Sequence, residues 1–180
     1  MQLFASLDFQ QVAMQKMTVY LDTETTGLSP PRDEILEIGI LDDQGRALID
    51  SLVRPVNHSM WPGAQAIHGI SPADVANAPT LDELRSGIIE AVKGREVVIY
   101  NAVFDSRFLP AELGYAAEVK CCMFPFAEVY GEWNDYRQNY KWQKLTTAAS
   151  YVGYKWSASA HRAIEDCRAT RAVWRYLSQM

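Results

Sequence analysis

One short segment, residues 18–28 (TVYLDTETTGL), constrains the fold of this chain more than any other. It opens with an apolar run rich in β-formers, which predicts a buried strand, and then carries Asp22 and Glu24. Side chains two residues apart on a strand point to the same face, so the two carboxylates are expected side by side. Their repulsion and desolvation are costly, and a divalent cation with oxygen ligands would offset that cost. The alternative is a pair of acids that only ends a strand before a loop.

The remaining pattern predicts an α/β fold with one mixed sheet and helices packed on it. The predicted strands are residues 18–22, 35–41, 48–53, 96–100 and 119–123. The predicted helices are residues 80–92, a helix that begins near 103, 144–151 and 162–178, and the predicted loops are 55–70 and 131–142. The short turns that separate the first three strands favour an antiparallel meander, with the first strand as its inner member.

Length and composition indicate a globular protein of ordinary size. The chain has 180 residues, of which 48% are hydrophobic and 22% charged, and no apolar run is long enough to span a membrane. Residues 1–16 lack the features of a signal peptide and are predicted to be an N-terminal extension, with residues 17–180 as a single domain. Cysteines are few and odd in number, and Cys121 and Cys122 are neighbours, which predicts reduced thiols and a cytoplasmic location.

Charge is distributed unevenly along the chain. The net charge is −5, yet residues 137–180 hold eight Lys or Arg against two acids, a net of +6. A basic segment of this kind favours contact with a phosphate backbone, and the candidate contacts are Lys141, Lys144, Arg162 and Arg168. A solvated basic helix face is the alternative.

Two further acids are predicted to reach the same place as the first pair. Asp105 follows the fourth strand within the first turn of a helix. If the first and fourth strands are parallel neighbours, their carboxyl ends meet at one edge of the sheet, where open α/β sheets hold their sites. Asp166 lies on the last helix beside its predicted core face, and His161 lies in the loop before that helix.

Three segments carry a family resemblance: DTE at 22–24, NAVFD at 101–105 and HRAIED at 161–166. In this order they resemble the three exonuclease motifs of the DEDD superfamily, and the last has the H-x-A-x-x-D form of the histidine subgroup. The segment IHGIS at 67–71 resembles a loop of DnaQ-like members, the branch that includes exonuclease X and the proofreading ε subunit of DNA polymerase III. The likeness runs from about residue 18 to 177, and Tyr100 departs from it, since many members have His there.

The resemblance implies an RNase H-like fold: a mixed five-stranded sheet, built from a three-strand antiparallel meander and two parallel strands and flanked by helices. It also implies a 3′→5′ exonuclease that uses two divalent ions, Mg²⁺ or Mn²⁺, and releases nucleoside 5′-monophosphates. By similarity, the metal ligands are Asp22, Glu24, Asp105 and Asp166, and His161 is the general base, since imidazole is largely neutral near neutral pH.

The same resemblance implies that the substrate is the 3′ end of a single-stranded nucleic acid, with DNA expected and DNA repair as the expected setting. The pocket for the terminal nucleotide would be lined by Thr25, Leu28, Ile67, His68, Asn101 and Phe104. Plain core packing is an equal alternative for Leu28, Ile67 and Phe104. Two alternatives for the whole chain stay open. One is an exoribonuclease of the same superfamily, because a protein distinguishes RNA from DNA by contacts to the 2′-OH that the sequence does not reveal. The other is a non-catalytic nucleic-acid-binding module that kept the fold.

Overall fold

A computed structural model of the chain describes residues 17–157 and 161–180, so the predicted extension at residues 1–16 lies outside the described residues. The strands are β1 (Thr18–Thr25), β2 (Ile35–Asp42), β3 (Ala47–Leu52), β4 (Glu96–Ile99), β5 (Glu118–Cys121), β6 (Trp133–Asn134) and β7 (Asn139–Tyr140). The helices are α1 (Pro62–His68), α2 (Pro72–Val75), α3 (Leu81–Val92), α4 (Ala102–Asp105), α5 (Pro110–Leu113), α6 (Met123–Tyr130), α7 (Leu145–Tyr151) and α8 (Ala163–Leu177).

The main sheet has five strands in the order β3-β2-β1-β4-β5. Strands β1, β2 and β3 pair antiparallel, whereas β1 pairs with β4 and β4 with β5 in parallel. The mixed sheet, its meander and its parallel pair are therefore as predicted. Strand β1 is central in the sheet, although β2 is the middle strand of the meander itself. The parallel pairing brings the carboxyl ends of β1 and β4 to the same edge of the sheet.

Both faces of the sheet are covered, and alternation along β1 assigns its side chains to two layers. Val19 and Leu21 belong to one cluster with residues of α3 and α5, while Tyr20 packs on the opposite side with residues of α6 and α8. Helix α8 lies against β1 and β2. Gly39 permits this close approach, because a Cβ atom there would lie 2.7 Å from the carbonyl carbon of Ala163. The acids Asp22 and Glu24, two and four residues after Tyr20, consequently stand on the α8 side of the sheet.

The predicted loop at residues 55–70 is wrong in its second half, because it contains α1. Pro62 and Gly69 are loop formers in isolation, but here they delimit a helix. Pro62 occupies the first helical turn, and Gly69 ends the helix in the left-handed region at φ 78°, donating its N–H to the carbonyl of Gln65 at 2.8 Å. Trp61, just before the helix, is buried, and its indole N–H donates to the carbonyl of Ile70 at 2.8 Å.

The predicted loop at residues 131–142 is also corrected, since it holds the two-stranded hairpin β6–β7. A cross-strand ring pair, Trp133 and Tyr140, with centroids 5.1 Å apart, helps to stabilise the hairpin. Gln138, before the return strand, has a φ of 53°. Helices α5 and α6 were not predicted, because each is short and carries a proline in its first turn. No helix within the described ranges is long and apolar enough to cross a membrane.

Candidate active site

Three elements of the fold converge at the carboxyl edge of β1. Asp22 and Glu24 come from β1 itself, Asp105 from α4, and Asp166 from the first turn of α8. Asp105 is buried and fixed against β1, because the backbone N–H and the hydroxyl of Thr23 donate to its Oδ1 at 3.2 and 2.8 Å. The structure thus brings the four predicted acids together, since the charges of the other three all act on Asp22. We call the place where they meet the cleft.

His161 lies at the rim of this cleft, before α8. Its Nδ1 is 4.0 Å from Oε1 of Glu24, and its backbone N–H donates to Oδ1 of Asp166 at 3.4 Å. One ligand atom from each of these three residues lies within 4.8 Å of the other two. The backbone of His161 has a φ of 67°, a conformation that few non-glycine residues adopt. Half of its side chain stays exposed, so the imidazole can meet a ligand in the cleft.

Burial and mutual repulsion perturb all four carboxyl groups. The pKa of Asp22 is raised well above its ordinary value, first by desolvation and then by the charges of Asp105, Asp166 and Glu24. Desolvation, reinforced by neighbouring acids, raises the pKa of Glu24 to about 8, that of Asp105 to about 7 and that of Asp166 to about 6. Four hard oxygen donors that repel one another form a donor set suited to divalent ions such as Mg²⁺.

Metal-free protein is therefore expected to lose thermal stability as the pH rises from about 5.5 to 8.5. A carboxyl group with a raised pKa in the folded state favours folding only while it is protonated. Its contribution is complete below the ordinary value near 4 and is lost as the pH passes through the raised values of Glu24, Asp105 and Asp166. Melting curves in a chelator measure this fall, and added Mg²⁺ should raise the melting temperature more at high pH. A melting temperature that is flat or rises over this range would contradict the electrostatic account.

A fifth acid, Glu37 of β2, was not predicted and holds the start of α8 in place. Its side chain is only 1% exposed and accepts from Nε and Nη2 of Arg162 at 2.8 and 2.7 Å. It also accepts from the backbone N–H of Ala163 at 3.0 Å. Both nitrogens of Arg162 donate to Oε1 and the N–H of Ala163 donates to Oε2, so the carboxylate uses both oxygens to fix the chain beside the loop that carries His161. The available signal was an acid inside the otherwise apolar strand ILEIGIL.

Glu37→Gln is expected to lower the free energy of unfolding by about 1–3 kcal/mol, because it weakens charged hydrogen bonds at a buried acceptor. Urea unfolding measures the loss. The coupling is tested with Arg162→Gln: the double variant should be less destabilised than the sum of the two single variants. Additive effects would show that the pair does not act as one unit.

The six residues predicted to line the nucleotide pocket differ in burial: Thr25 and His68 are buried, whereas Leu28 and Ile67 are exposed. His68 is buried and ties α1 to the end of β1: its Nδ1 accepts from the N–H of Ile70 at 3.1 Å, and its Nε2 lies 3.3 Å from the carbonyl oxygen of Thr25. Burial lowers the pKa of His68, which keeps the ring neutral. Thr25 is buried, and its hydroxyl donates to the carbonyl of Gly27 at 2.7 Å.

The apolar members of the pocket divide into two groups. Leu28 and Ile67 are 73% and 64% exposed, so core packing does not explain them. Phe104 is partly buried against the core and its ring centroid lies 5.2 Å from that of Phe108, so core packing does account for it. Asn101 caps α4, where its carbonyl accepts from the N–H of Phe104 at 2.9 Å.

The four basic residues expected to contact phosphate are mostly paired with acids. Arg162 binds Glu37, Lys141 lies 2.7 Å from Glu132, and Arg168 pairs with Glu165 one helical turn away. Across the described ranges, Lys144 has no acidic partner. The net charge of residues 137–180 overstated the free basic surface, because two of the pairing acids, Glu37 and Glu132, lie outside that segment.

The exonuclease model of the RNase T family matches residues 19–174 of this chain. That match spans every main-sheet strand and all the residues of the cleft. The chain therefore belongs to the RNase T exonuclease family, as the motif order predicts, and it is a nuclease of the DnaQ-like type that acts on nucleic acid.

Individual relatives agree with this assignment. Uncharacterized exonuclease CP81 of Escherichia phage 186 is 35% identical over 168 residues, which cover 86% of this chain and 84% of that exonuclease. The ε subunit of DNA polymerase III from Treponema pallidum (strain Nichols) is 36% identical over 95 residues, covering 51% of this chain but only 44% of that subunit. The structure of exonuclease X in complex with 5′ overhanging duplex DNA superposes with a TM-score of 0.69 at 25% identity, covering 91% and 92% of the two chains. The expected likeness to exonuclease X and to ε, and the RNase H-like fold, are confirmed.

Proposed function

We propose that this protein is a metal-dependent 3′→5′ exonuclease that hydrolyses the terminal phosphodiester bond and releases nucleoside 5′-monophosphates. The observation that carries the proposal is the convergence of four acids with raised pKa values beside a half-exposed histidine at one sheet edge. We further propose that residues 17–180 form one exonuclease domain. Three free thiols fit the reducing cytoplasm that the sequence predicts.

The four acids of the cleft, Asp22, Glu24, Asp105 and Asp166, would hold two divalent ions, Mg²⁺ or Mn²⁺. When bound, such ions supply Lewis-acid stabilisation of the negative charge that develops on the reacting phosphate. The protein contributes a rigid cleft: Thr23 orients the carboxylate of Asp105, and Glu37 with Arg162 fixes the helix start that presents Asp166.

His161 would accept the proton of the attacking water as general base. Its backbone is held by Asp166 while its ring projects to the cleft rim, and this geometry suits a group that must reach a water above the acids. Leu28 and Ile67 would contact the base and sugar of the terminal nucleotide, because both are exposed apolar side chains that flank the region where His68 meets Thr25.

We propose single-stranded DNA as the preferred substrate. Exonuclease X, which is similar over nearly the whole chain, was solved with duplex DNA that has a 5′ overhang, and this supports DNA as the substrate. The test compares 5′-labelled single-stranded DNA, blunt duplex DNA and RNA of matched sequence, each with Mg²⁺ or Mn²⁺. We expect the single-stranded DNA to shorten fastest. Faster shortening of RNA would favour the exoribonuclease alternative, and binding without shortening of any substrate would favour the non-catalytic module.

A further inference from the structure

A group of exposed rings surrounds the β6–β7 hairpin, outside the cleft of acids. We call this group the aromatic platform, and it consists of Phe124, Trp133, Tyr136, Tyr140 and Trp142. Tyr136 at the hairpin tip is 95% exposed, and Trp142 and Trp133 are 56% and 45% exposed. Large rings concentrated in this way on the surface of a small domain are typical of a binding surface.

The rings of the platform support one another in two pairs. Trp133 and Tyr140 meet edge to face, and Phe124 and Trp142 meet at a tilt with centroids 5.6 Å apart. Both pairs line one groove of about 460 Å³, a size typical of small-ligand sites. The groove is also lined by Gln138 and Asn139, whose amides can form hydrogen bonds, and by Ala127 and Glu128.

A hydrogen bond links the segment after the hairpin to a residue beside the candidate active site. The hydroxyl of Tyr100 donates to the carbonyl of Gln143 at 2.9 Å. Tyr100 directly follows β4 and precedes α4, the helix that bears Asp105. Tyr100 is also the position at which the sequence departs from the family pattern, and this contact gives its side chain a role. The platform therefore begins at the same sheet edge as the cleft.

Two cations beside the platform could contact a phosphate backbone. Lys141 is neutralised by Glu132 across the hairpin, whereas Arg137 and Lys144 have no acidic partner in the part of the chain that the structure describes. Rings interleaved with free cations and amides are characteristic of surfaces that stack bases and follow a phosphate backbone. The core of a protein–protein interface is instead depleted of charge.

We propose that the aromatic platform binds the unpaired strand upstream of the 3′-terminal nucleotide, with bases stacked on Trp133 and Trp142 and phosphates near Arg137 and Lys144. The proposal rests on the exonuclease function proposed above and extends it to the body of the substrate. The occupant is single-stranded, because stacking on a side chain requires a base face that a duplex covers.

The test compares a long substrate, which can reach both the platform and the cleft, with a small one that reaches only the cleft. Trp142→Ala should lower kcat/KM for an oligonucleotide of about 12 residues by roughly 5- to 150-fold, the range expected for one lost base stack. The same variant should hydrolyse the p-nitrophenyl ester of thymidine 5′-monophosphate like the wild type, because that ester fills only the terminal position. Trp142→Phe should recover most of the loss. Tyr115→Ala, at an exposed ring before β5 on the opposite sheet edge, serves as the matched control and should change neither substrate.

The outcomes distinguish failure of this proposal from failure of the proposed function. Suppose that the wild-type protein hydrolyses both substrates and that Trp142→Ala does so at the same rates. This result would overturn the proposed role of the platform and leave the proposed exonuclease function intact. Equal losses on both substrates would also overturn it, since they would indicate a structural role for Trp142. A wild-type protein that hydrolyses neither substrate would instead overturn the proposed function.

Discussion

Asp22→Asn is expected to abolish exonuclease activity and, at the same time, to raise the melting temperature of the metal-free protein. Asp22 is the carboxyl group on which the charges of Asp105, Asp166 and Glu24 all act, so its removal relieves repulsion in the cleft. Each kcal/mol of relief should raise the melting temperature by about 2–4 °C in a protein of this size. The variant should also lose most of the stabilisation that Mg²⁺ gives to the wild type.

Asp42→Asn is the matched control for this experiment, because Asp42 is an acid at the end of β2 in the opposite electrostatic setting. It accepts from the backbone N–H groups of Gln44 and Arg46 and from Nε of Arg46, and these contacts lower its pKa below the ordinary value. The control should reduce stability and leave activity unchanged. An Asp22→Asn protein that keeps wild-type turnover would show that this carboxylate is not part of the catalytic machinery.

His161→Ala is expected to reduce kcat by roughly 10²- to 10⁴-fold, the usual contribution of a general base. Metal binding and substrate affinity should change little, because the backbone N–H of residue 161, which contacts Asp166, survives the substitution. Steady-state kinetics at saturating Mg²⁺, together with the Mg²⁺ dependence of the melting temperature, separates these effects.

Asp166→Ala provides the contrast to His161→Ala. It should lose both turnover and metal-induced stabilisation, since Asp166 is one of the four acids whose pKa the shared cleft raises. Wild-type turnover in His161→Ala at saturating Mg²⁺ would make the histidine a bystander. Loss of metal-induced stabilisation in that variant would instead place the imidazole among the metal ligands.

Most residues of the cleft could be predicted from the sequence, because their positions follow from the periodicity of the strand or helix that carries them. Asp22 and Glu24 share a face by strand alternation, and Asp105 lies in the short helix after β4. The assumption that β1 and β4 are parallel neighbours was therefore enough to predict that these three acids lie together. Asp166 followed from helical spacing next to a core face. The contact between Glu37 and Arg162 was not accessible in this way, because it joins residues 125 positions apart across a strand–helix interface.

Segments with short elements were the hardest to predict. Pro62 and Gly69 are as typical of a loop as of the two ends of a short helix, so these residues alone do not predict α1. The helix is favoured by the packing of Trp61 and Ile70, which flank it. The hairpin β6–β7 has two residues per strand, too few for an alternation to emerge. Long-range pairing also explains why the basic C-terminal segment has fewer free charges than its composition implies, as the Arg162–Glu37 contact shows.

The most direct measurement of the central claim follows a single-stranded DNA oligonucleotide that carries its label at either end. With Mg²⁺, a 3′-terminal label should leave at once as a nucleoside 5′-monophosphate, whereas a 5′-label should pass through a ladder of fragments that shorten one nucleotide at a time. A chelator should stop both reactions, because the four acids of the cleft then have no cation to hold. Full activity in the chelator, or release of the 5′-label first, would contradict the assignment of this protein as a metal-dependent 3′→5′ exonuclease.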